Sequence, residues 1–275
     1  MLKSLFSSKI SFASFLVIAF LVFLALFGSY VTPYDPFEIH VEKILQPPSL
    51  EHPLGTDLLG RDLLSRMIYG AKISLQVSLV AVGISLLIGI LLGALAGYFG
   101  GIIDQIISRF IDMVLCFPTI FLILAAIAYL EPSIITIMIV IGITSWMGVA
   151  RLVRAEFLSL KEREFVLSAK LYGASSLRII FKHLLPNAMP PILVSASLGM
   201  GQAILIESAL SFLGIGVQPP IPSWGNLLIE GKEAMEVAWW LSVFPGLAIL
   251  ITVLSFTLLG EAMQDYFNPK RKKKF

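Results

Sequence analysis

Residues 164–191 read EFVLSAKLYGASSLRIIFKHLLPNAMPP, a basic, helix-forming stretch that lies between two long apolar runs. Phe165, Ala169 and Tyr172 follow one another at i, i+4 and i+7, which places them on one face of a first short helix. Gly173 comes directly after them. Glycine readily adopts the left-handed conformation of a helix C-terminus, so we expect the first helix to end at Gly173.

A second short helix is predicted after Gly173, with Ser175 or Ser176 as its N-cap and Pro186 as its end. Its apolar stripe would consist of Leu177, Ile180, Phe181 and Leu184, with Arg178 and Lys182 on the other side. A connector between two apolar runs could be far shorter, so we interpret the stretch as a docking surface for a partner. A pair of helices lying on the membrane surface is the alternative that the pattern leaves open.

The rest of the chain has the composition of a polytopic membrane protein. Of its 275 residues, 57% are hydrophobic and 14% are charged, whereas soluble domains carry about 25% charged residues. The single cysteine, Cys116, excludes a disulfide framework. The three histidines are too scattered to suggest a metal site.

Six apolar runs are long enough to cross a bilayer, which needs roughly 20 residues per helix. The predicted spans are 10–31, 74–98, 107–129, 133–153, 191–215 and 238–260. A tight turn over 130–133 would join the third span to the fourth. In the second span, Gly89, Gly93 and Gly97 place small residues on one face, which favours close packing against a neighbouring helix.

The distribution of Lys and Arg predicts the orientation of these spans. With the N-terminus inside, fifteen of the 20 basic residues lie on the inner side and five on the outer side. The positive-inside rule therefore favours cytoplasmic positions for both termini and for the 164–191 stretch. The basic run at 270–274 is interpreted as a topology anchor.

The 164–191 stretch resembles the cytoplasmic "EAA" loop of ABC importer permeases. Leu167-Ser168-Ala169 stand at the EAA positions, so the family's glutamate and first alanine are replaced. Gly173 matches the glycine of the pattern, His183 stands where isoleucine is usual, and Leu185-Pro186 closes it. The residues that the resemblance assigns to ATPase coupling are Phe165, Ala169, Tyr172, Gly173, His183, Leu185 and Pro186.

Further segments resemble the dipeptide, oligopeptide and nickel branch of these permeases. They are HPLGTDLLGRDLLSR at 52–66, HLLPN at 183–187, SFLGIG at 211–216 and QPPIPSWG at 218–225. The similarity covers about residues 10–269. It implies an all-α, six-helix membrane protein with the MetI-like ABC importer permease fold, located in the bacterial inner membrane.

The resemblance also implies an organisation and a set of partners. Residues 1–72 would form a first membrane helix with an extracytoplasmic loop, 73–265 a permease core containing the coupling loop 154–190, and 266–275 a basic tail. A second homologous permease, two ABC ATPases, an extracytoplasmic solute-binding protein and membrane lipid would be the partners, with no nucleic acid. The sequence has no GxxxxGK[ST] loop, so this chain is expected to be no enzyme and to bind no cofactor, while its partners use ATP and Mg²⁺.

Several charged and aromatic residues outside the loop are candidates for contacts with solute or partner. Asp57, Arg61 and Trp224 are placed on the outer side, where they could meet the binding protein, although an interfacial helix starting near Thr56 is the alternative. Within it, Asp62 and Arg66 are spaced as an i, i+4 pair.

Glu207 lies in the middle of the fifth span, where an ionisable group is costly and faces the protein interior. It could line the translocation path or hold two helices together through hydrogen bonds.

The expected cargo is a di- or oligopeptide, since 218–225 and 183–187 resemble the peptide members more closely. A nickel importer is the alternative, because residues 163–167 also resemble nickel permeases. An ATPase-independent secondary transporter is the rival from another class. It would favour inverted repeats and several buried charges, neither of which is evident in this sequence.

Overall fold

The computed structural model describes residues 9–130 and 133–267, which form helices and one isolated bridge between Thr56 and Asp62. The helices are α1 (Lys9–Val31), α2 (Leu63–Phe99), α3 (Gly101–Leu115), α4 (Thr119–Tyr129), α5 (Ile134–Leu160), α6 (Glu164–Leu171), α7 (Ser176–Arg178), α8 (Leu185–Phe212), α9 (Trp224–Glu233) and α10 (Trp240–Phe267). A short 3₁₀ helix spans Val41–Lys43, and a π-helical segment, Ile179–Leu184, connects α7 to α8. The all-α prediction is confirmed.

Among the described residues, five helical segments are long and apolar enough to cross a membrane: α1, α2, α5, α10 and the continuous stretch Ser176–Phe212. The predicted third span is not one straight helix, because α3 and α4 meet at an angle of 84°. Pro118 stands at this bend as the residue before α4. Proline disfavours helical geometry in the residue before it and removes a backbone donor, which accounts for the break. The predicted turn at 130–133 includes Glu131 and Pro132, which lie outside the described residues.

The helices extend well beyond the apolar runs that predicted them. The second span was expected at 74–98, but α2 begins at Leu63, where the Asp62 carboxylate accepts a hydrogen bond from the Ser65 amide. The predicted domain division at residue 72 therefore falls inside α2. The fourth span was expected to end at 153, and α5 continues to Leu160. Hydropathy marks the part of a helix that suits the bilayer, whereas capping residues decide where it begins and ends.

The predicted glycine face of α2 is confirmed. A Cβ atom at Gly89 would lie 2.6 Å from the Val149 Cβ, and one at Gly97 would lie 2.6 Å from the Phe157 Cβ. Gly93 would place its Cβ 2.5 Å from the Ala150 carbonyl oxygen. These glycines allow α2 and α5 to run side by side at a separation that no larger residue permits.

Buried apolar side chains form several clusters along this helix pair. One cluster lies beside the segment that joins α5 to α8 and includes Phe157, Val166 and Leu184. A second lies nearer the other end of α5 and includes Ala81, Ile141 and Ala203. We call the two ends of the bundle the loop end, where α6 and α7 lie, and the far end, where α9 lies.

Candidate functional site

The segment at the loop end forms one short helix, α6, a tight turn at Gly173 and then the start of the continuous helical stretch Ser176–Phe212. α5 ends at Leu160, and α6, which begins at Glu164, is the predicted first short helix. The Gly173 amide donates to the Lys170 carbonyl and the Ala174 amide donates to the Ala169 carbonyl, each at 3.0 Å. With φ +75° at Gly173, these bonds make a Schellman motif, and the prediction of a left-handed helix end is confirmed.

The second helix does not end at Pro186, so that prediction is wrong. Ser175 caps α7 by accepting a hydrogen bond from the Arg178 amide, and the chain then stays helical through the π segment into α8. Pro186 lies in the first turn of α8. The wider π turn ahead of it leaves room for its ring, and the Asn187 side-chain amide donates to the His183 carbonyl at 2.7 Å.

The apolar stripe predicted for this helix is divided between two faces. Ile180 and Leu184 are buried in the apolar cluster that includes Phe157 of α5, whereas Leu177 and Phe181 are 68% and 64% exposed. A π turn repeats over more residues than an α turn, so positions that share a face of an α-helix separate here. The expectation of one apolar stripe is therefore wrong.

The outward face of the loop segment is strongly apolar. Leu171 and Tyr172 are 88% and 93% exposed beside the turn at Gly173. The large hydrophobic residues exposed here are Phe165, Leu167, Leu171, Tyr172, Leu177 and Phe181. We call this set the loop face. Of the other residues assigned to coupling, Ala169, His183 and Leu185 are half-buried and Pro186 is exposed.

Glu207 is fully buried and joins three elements. Its carboxylate accepts hydrogen bonds from Ser211 at 2.8 Å, from Ser74 of α2 at 3.3 Å and from Ser208 at 3.5 Å. The Ser74 hydroxyl in turn accepts from the Trp224 amide at the start of α9 at 3.4 Å. The side chain has no exposed surface and therefore acts in this structure as a hydrogen-bonded link between helices.

Asp57, Arg61 and Trp224 are also enclosed by the chain itself. The Asp57 carboxylate accepts from the Arg61 Nε at 2.6 Å, and the Trp224 indole donates to the Met67 carbonyl at 3.1 Å. All three residues are buried. Their side chains offer no surface to a binding protein in this arrangement, since each is already used in an internal contact.

Arg61 belongs to a charged cluster at the far end that the sequence does not reveal. Arg66 donates to Glu230 at 2.8 Å and lies 3.2 Å from Asp57, while Arg61 donates to Glu230 at 3.0 Å. Burial raises the pKa of the Glu230 carboxyl, and the two guanidinium groups oppose that rise. We call Asp57, Arg61, Arg66 and Glu230 the far-end charge cluster.

The predicted Asp62–Arg66 pair is absent from the ion pairs among described residues, so that prediction is wrong. Asp62 instead accepts from the Ser65 amide and hydroxyl and lies 2.9 Å from the His52 ring nitrogen. A carboxylate at an N-cap points back to the first-turn amides and turns away from the residue one turn ahead. Among residues 9–130 and 133–267, no group of three or more His, Cys, Asp or Glu could hold a metal ion.

Comparison with known proteins identifies the family. Residues 89–273 match the model of the binding-protein-dependent transport system inner membrane component. The chain belongs to this family of transport permeases. Residues 1–48 also match the N-terminal transmembrane domain of oligopeptide transport permease C.

Full-length relatives are similar along almost the whole chain of this permease. The dipeptide transport system permease protein DppC of Alkalihalophilus pseudofirmus is 42% identical over 98% of this chain and 89% of its own length. The di/tripeptide transport system permease DppC of Pseudomonas aeruginosa is 42% identical over 98% of this chain and 91% of its own. The dipeptide permease DppC of Escherichia coli K12 is 43% identical over 93% and 87%.

A solved structure supports the fold. The methionine ABC transporter MetNI in an inward-facing conformation aligns with a TM-score of 0.58 at 17% identity, covering 70% of this chain and 91% of that one. At this identity the likeness concerns the fold alone. It confirms the MetI-like architecture expected for this permease.

Proposed function

We propose that this chain is a permease subunit of an ATP-driven, binding-protein-dependent importer of di- or oligopeptides. Family membership supports the transport role, and the relatives named for dipeptide or di/tripeptide transport favour peptide over the nickel alternative. The same membership argues against an ATPase-independent secondary transporter. The chain would form one half of the translocation pathway.

The loop face carries this proposal. Six large hydrophobic side chains are exposed on a short, capped segment between two membrane helices. Such a concentration of exposed apolar surface is typical of a protein interface. An ABC ATPase docked there would bind and hydrolyse ATP with Mg²⁺, so this chain would be neither an enzyme nor a holder of the cofactor. A second ATPase, a second homologous permease and a solute-binding protein would complete the importer.

The orientation follows from the basic residues. Arg151, Arg154 and Arg178 lie at the loop end, and the positive-inside rule assigns this end to the cytoplasm. Both termini would then be cytoplasmic in a bacterial inner membrane. Lys3 and 270–274, which contribute to this assignment, lie outside the described residues.

Purification and uptake together test the proposal. The chain, tagged and expressed at native level, should bring down one other permease and one or two ATPases that carry a phosphate-binding loop. A strain lacking the chain should lose uptake of a radiolabelled dipeptide, keep uptake of radioactive nickel, and recover when the gene is restored. Recovery of the chain without any ATPase would refute the importer. Loss of nickel uptake without loss of dipeptide uptake would refute a peptide as the transported substrate.

A further inference from the structure

Two cavities on one side of the bundle meet at Gly148, Ser195 and Leu198, which line both. One cavity, of about 270 Å³, lies among α2, α5 and α8. The other, of about 740 Å³, lies nearer the loop end and reaches α10. Because they share three lining residues, the two cavities form one continuous groove, which we call the α5–α8 groove.

The groove follows one face of each of its two main helices. On α5 the lining residues include Ile141, Ser145, Gly148, Leu152 and Glu156. On α8 they include Asn187, Pro191, Val194, Ser195, Leu198 and Gln202. Each set recurs every three or four positions, as one face of a helix requires. Each extends over about 22 Å of helix, which is several times the roughly 7 Å length of an extended dipeptide.

The groove contains polar groups that the protein itself does not use. The side chains of Ser85, Ser195 and Gln202 make no hydrogen bond to the described part of the chain. Unpaired polar groups at membrane depth are tolerated where they line a cavity that holds water or solute. The residues that line the smaller cavity include no ionisable side chain, and Glu156 is the one ionisable residue lining the larger.

The two ends of the groove differ. Its inner limit is formed by Ala81, Ile141 and Ala203, which belong to a buried apolar cluster. Its other end reaches Glu156 and Gln264 at the loop end of the bundle. A groove that reaches the loop end and is bounded further in by packed side chains has the form of one wall of an inward-facing passage.

We propose that the α5–α8 groove forms this chain's side of the passage for the transported peptide. Gly148 has no side chain, and the space that this leaves in the groove determines how bulky a peptide can pass. This inference rests on the proposed function. Uncharged hydroxyl and amide groups can form hydrogen bonds with the amide N–H and C=O groups that every peptide carries. The groove would therefore discriminate little between peptides whose side chains differ in charge. A Cβ at Gly148 would meet nothing within 4 Å. A side chain added at Gly148 therefore begins in open space rather than against another part of the chain.

A size series at Gly148 tests the role of that residue. The assembled transporter, with Gly148→Ala, Gly148→Val or Gly148→Leu, is compared for uptake of dialanine and diphenylalanine. Gly148→Leu should reduce diphenylalanine uptake relative to dialanine uptake by about 10- to 200-fold, the range for steric discrimination in an apolar pocket. Gly83→Leu is the matched control, since Gly83 is exposed in α2, has nothing within 4 Å and is not among the groove residues. Equal loss of both peptides, or equal effects of the two leucine variants, would overturn the proposal.

A thiol-labelling experiment tests the groove without any peptide. In a Cys116→Ser background, which removes the exposed native cysteine, Ser195→Cys and Gly83→Cys are exposed to a membrane-impermeant thiol reagent applied to the loop end of the assembled transporter. Reaction of Ser195→Cys but not of Gly83→Cys is expected. If Ser195→Cys stays unreactive, lipid or a helix of the second permease covers the groove, and the proposal is wrong. Labelling of Ser195→Cys without dipeptide uptake would leave the groove in place and refute the proposed substrate.

Discussion

Replacing Gly93 with alanine tests whether α2 and α5 depend on a backbone contact. The added Cβ would lie 2.5 Å from the Ala150 carbonyl oxygen and 2.8 Å from the Val153 Cβ. Ordinary contact begins at 3.4 Å, so the helices must separate by about 1 Å at this point. The nearest atom belongs to the backbone, and no side-chain rotation can relieve the clash. Overpacking of this kind costs about 1–3 kcal/mol.

The control for this prediction is Gly83→Ala in the same helix, where the added Cβ meets nothing within 4 Å. Alanine is preferred to glycine inside a helix by about 0.5–1 kcal/mol, so this variant should be slightly more stable than the parent. The free energy of unfolding of each variant is measured by titration with a denaturing detergent, followed by circular dichroism. If Gly93→Ala proved as stable as Gly83→Ala, the close approach of α2 and α5 would be wrong.

Three further predictions concern the loop turn and the two buried polar groups. Gly173→Val should insert normally, because a Cβ at Gly173 would have no other atom within 4 Å. Valine is strained at φ +75°, so the variant should transport less peptide per ATP hydrolysed in proteoliposomes, whereas Gly173→Asn should keep the parent ratio. An equal ratio of uptake to hydrolysis in both variants would contradict the coupling role. Glu230→Gln removes one of the two carboxylates that Arg61 and Arg66 share, the other being Asp57. Detergent unfolding should show a loss of about 1.5–3 kcal/mol, and an unchanged stability would contradict the cluster's importance. Glu207→Gln should keep hydrogen bonds with the serines, because its amide oxygen accepts from a hydroxyl and its NH2 group can donate to a hydroxyl oxygen. Glu207→Leu leaves the serines unpaired and should cost about 1–3 kcal/mol more in the same assay; equal stability of the two variants would contradict the link.

The features that the sequence predicted correctly have local causes. Gly89, Gly93 and Gly97 recur every four residues, which places them on one face of a helix and permits a neighbouring helix to approach closely. Gly173 directly follows a helix-forming run. Its φ of +75° is a conformation that glycine adopts far more readily than residues with a Cβ atom. In both cases the identity and spacing of a few neighbouring residues determine the local structure.

The errors at Pro186 and at the apolar stripe have one common cause. Both predictions assumed 3.6 residues per turn, and the π segment Ile179–Leu184 breaks that period. Its wider turn accommodates the proline and separates Leu177 and Phe181 from Ile180 and Leu184. The result suits a docking segment better than a single stripe does, because one apolar side anchors the loop to α5 while the other remains exposed for a partner.

The far-end charge cluster could not be predicted because Glu230 is far in sequence from Asp57, Arg61 and Arg66. Arg66 has a carboxylate four residues before it at Asp62, yet it pairs with Glu230, which is 164 residues away. The 52–66 segment is one of those that resemble the family, and Asp57 and Arg61 within it are candidates for contact with a partner, with an interfacial helix as the alternative. Their burial shows that residues which identify a family can instead hold its fold together. Loss of transport in a variant at Asp57 or Arg61 must therefore be measured against unfolding before it is assigned to lost contact with a binding protein.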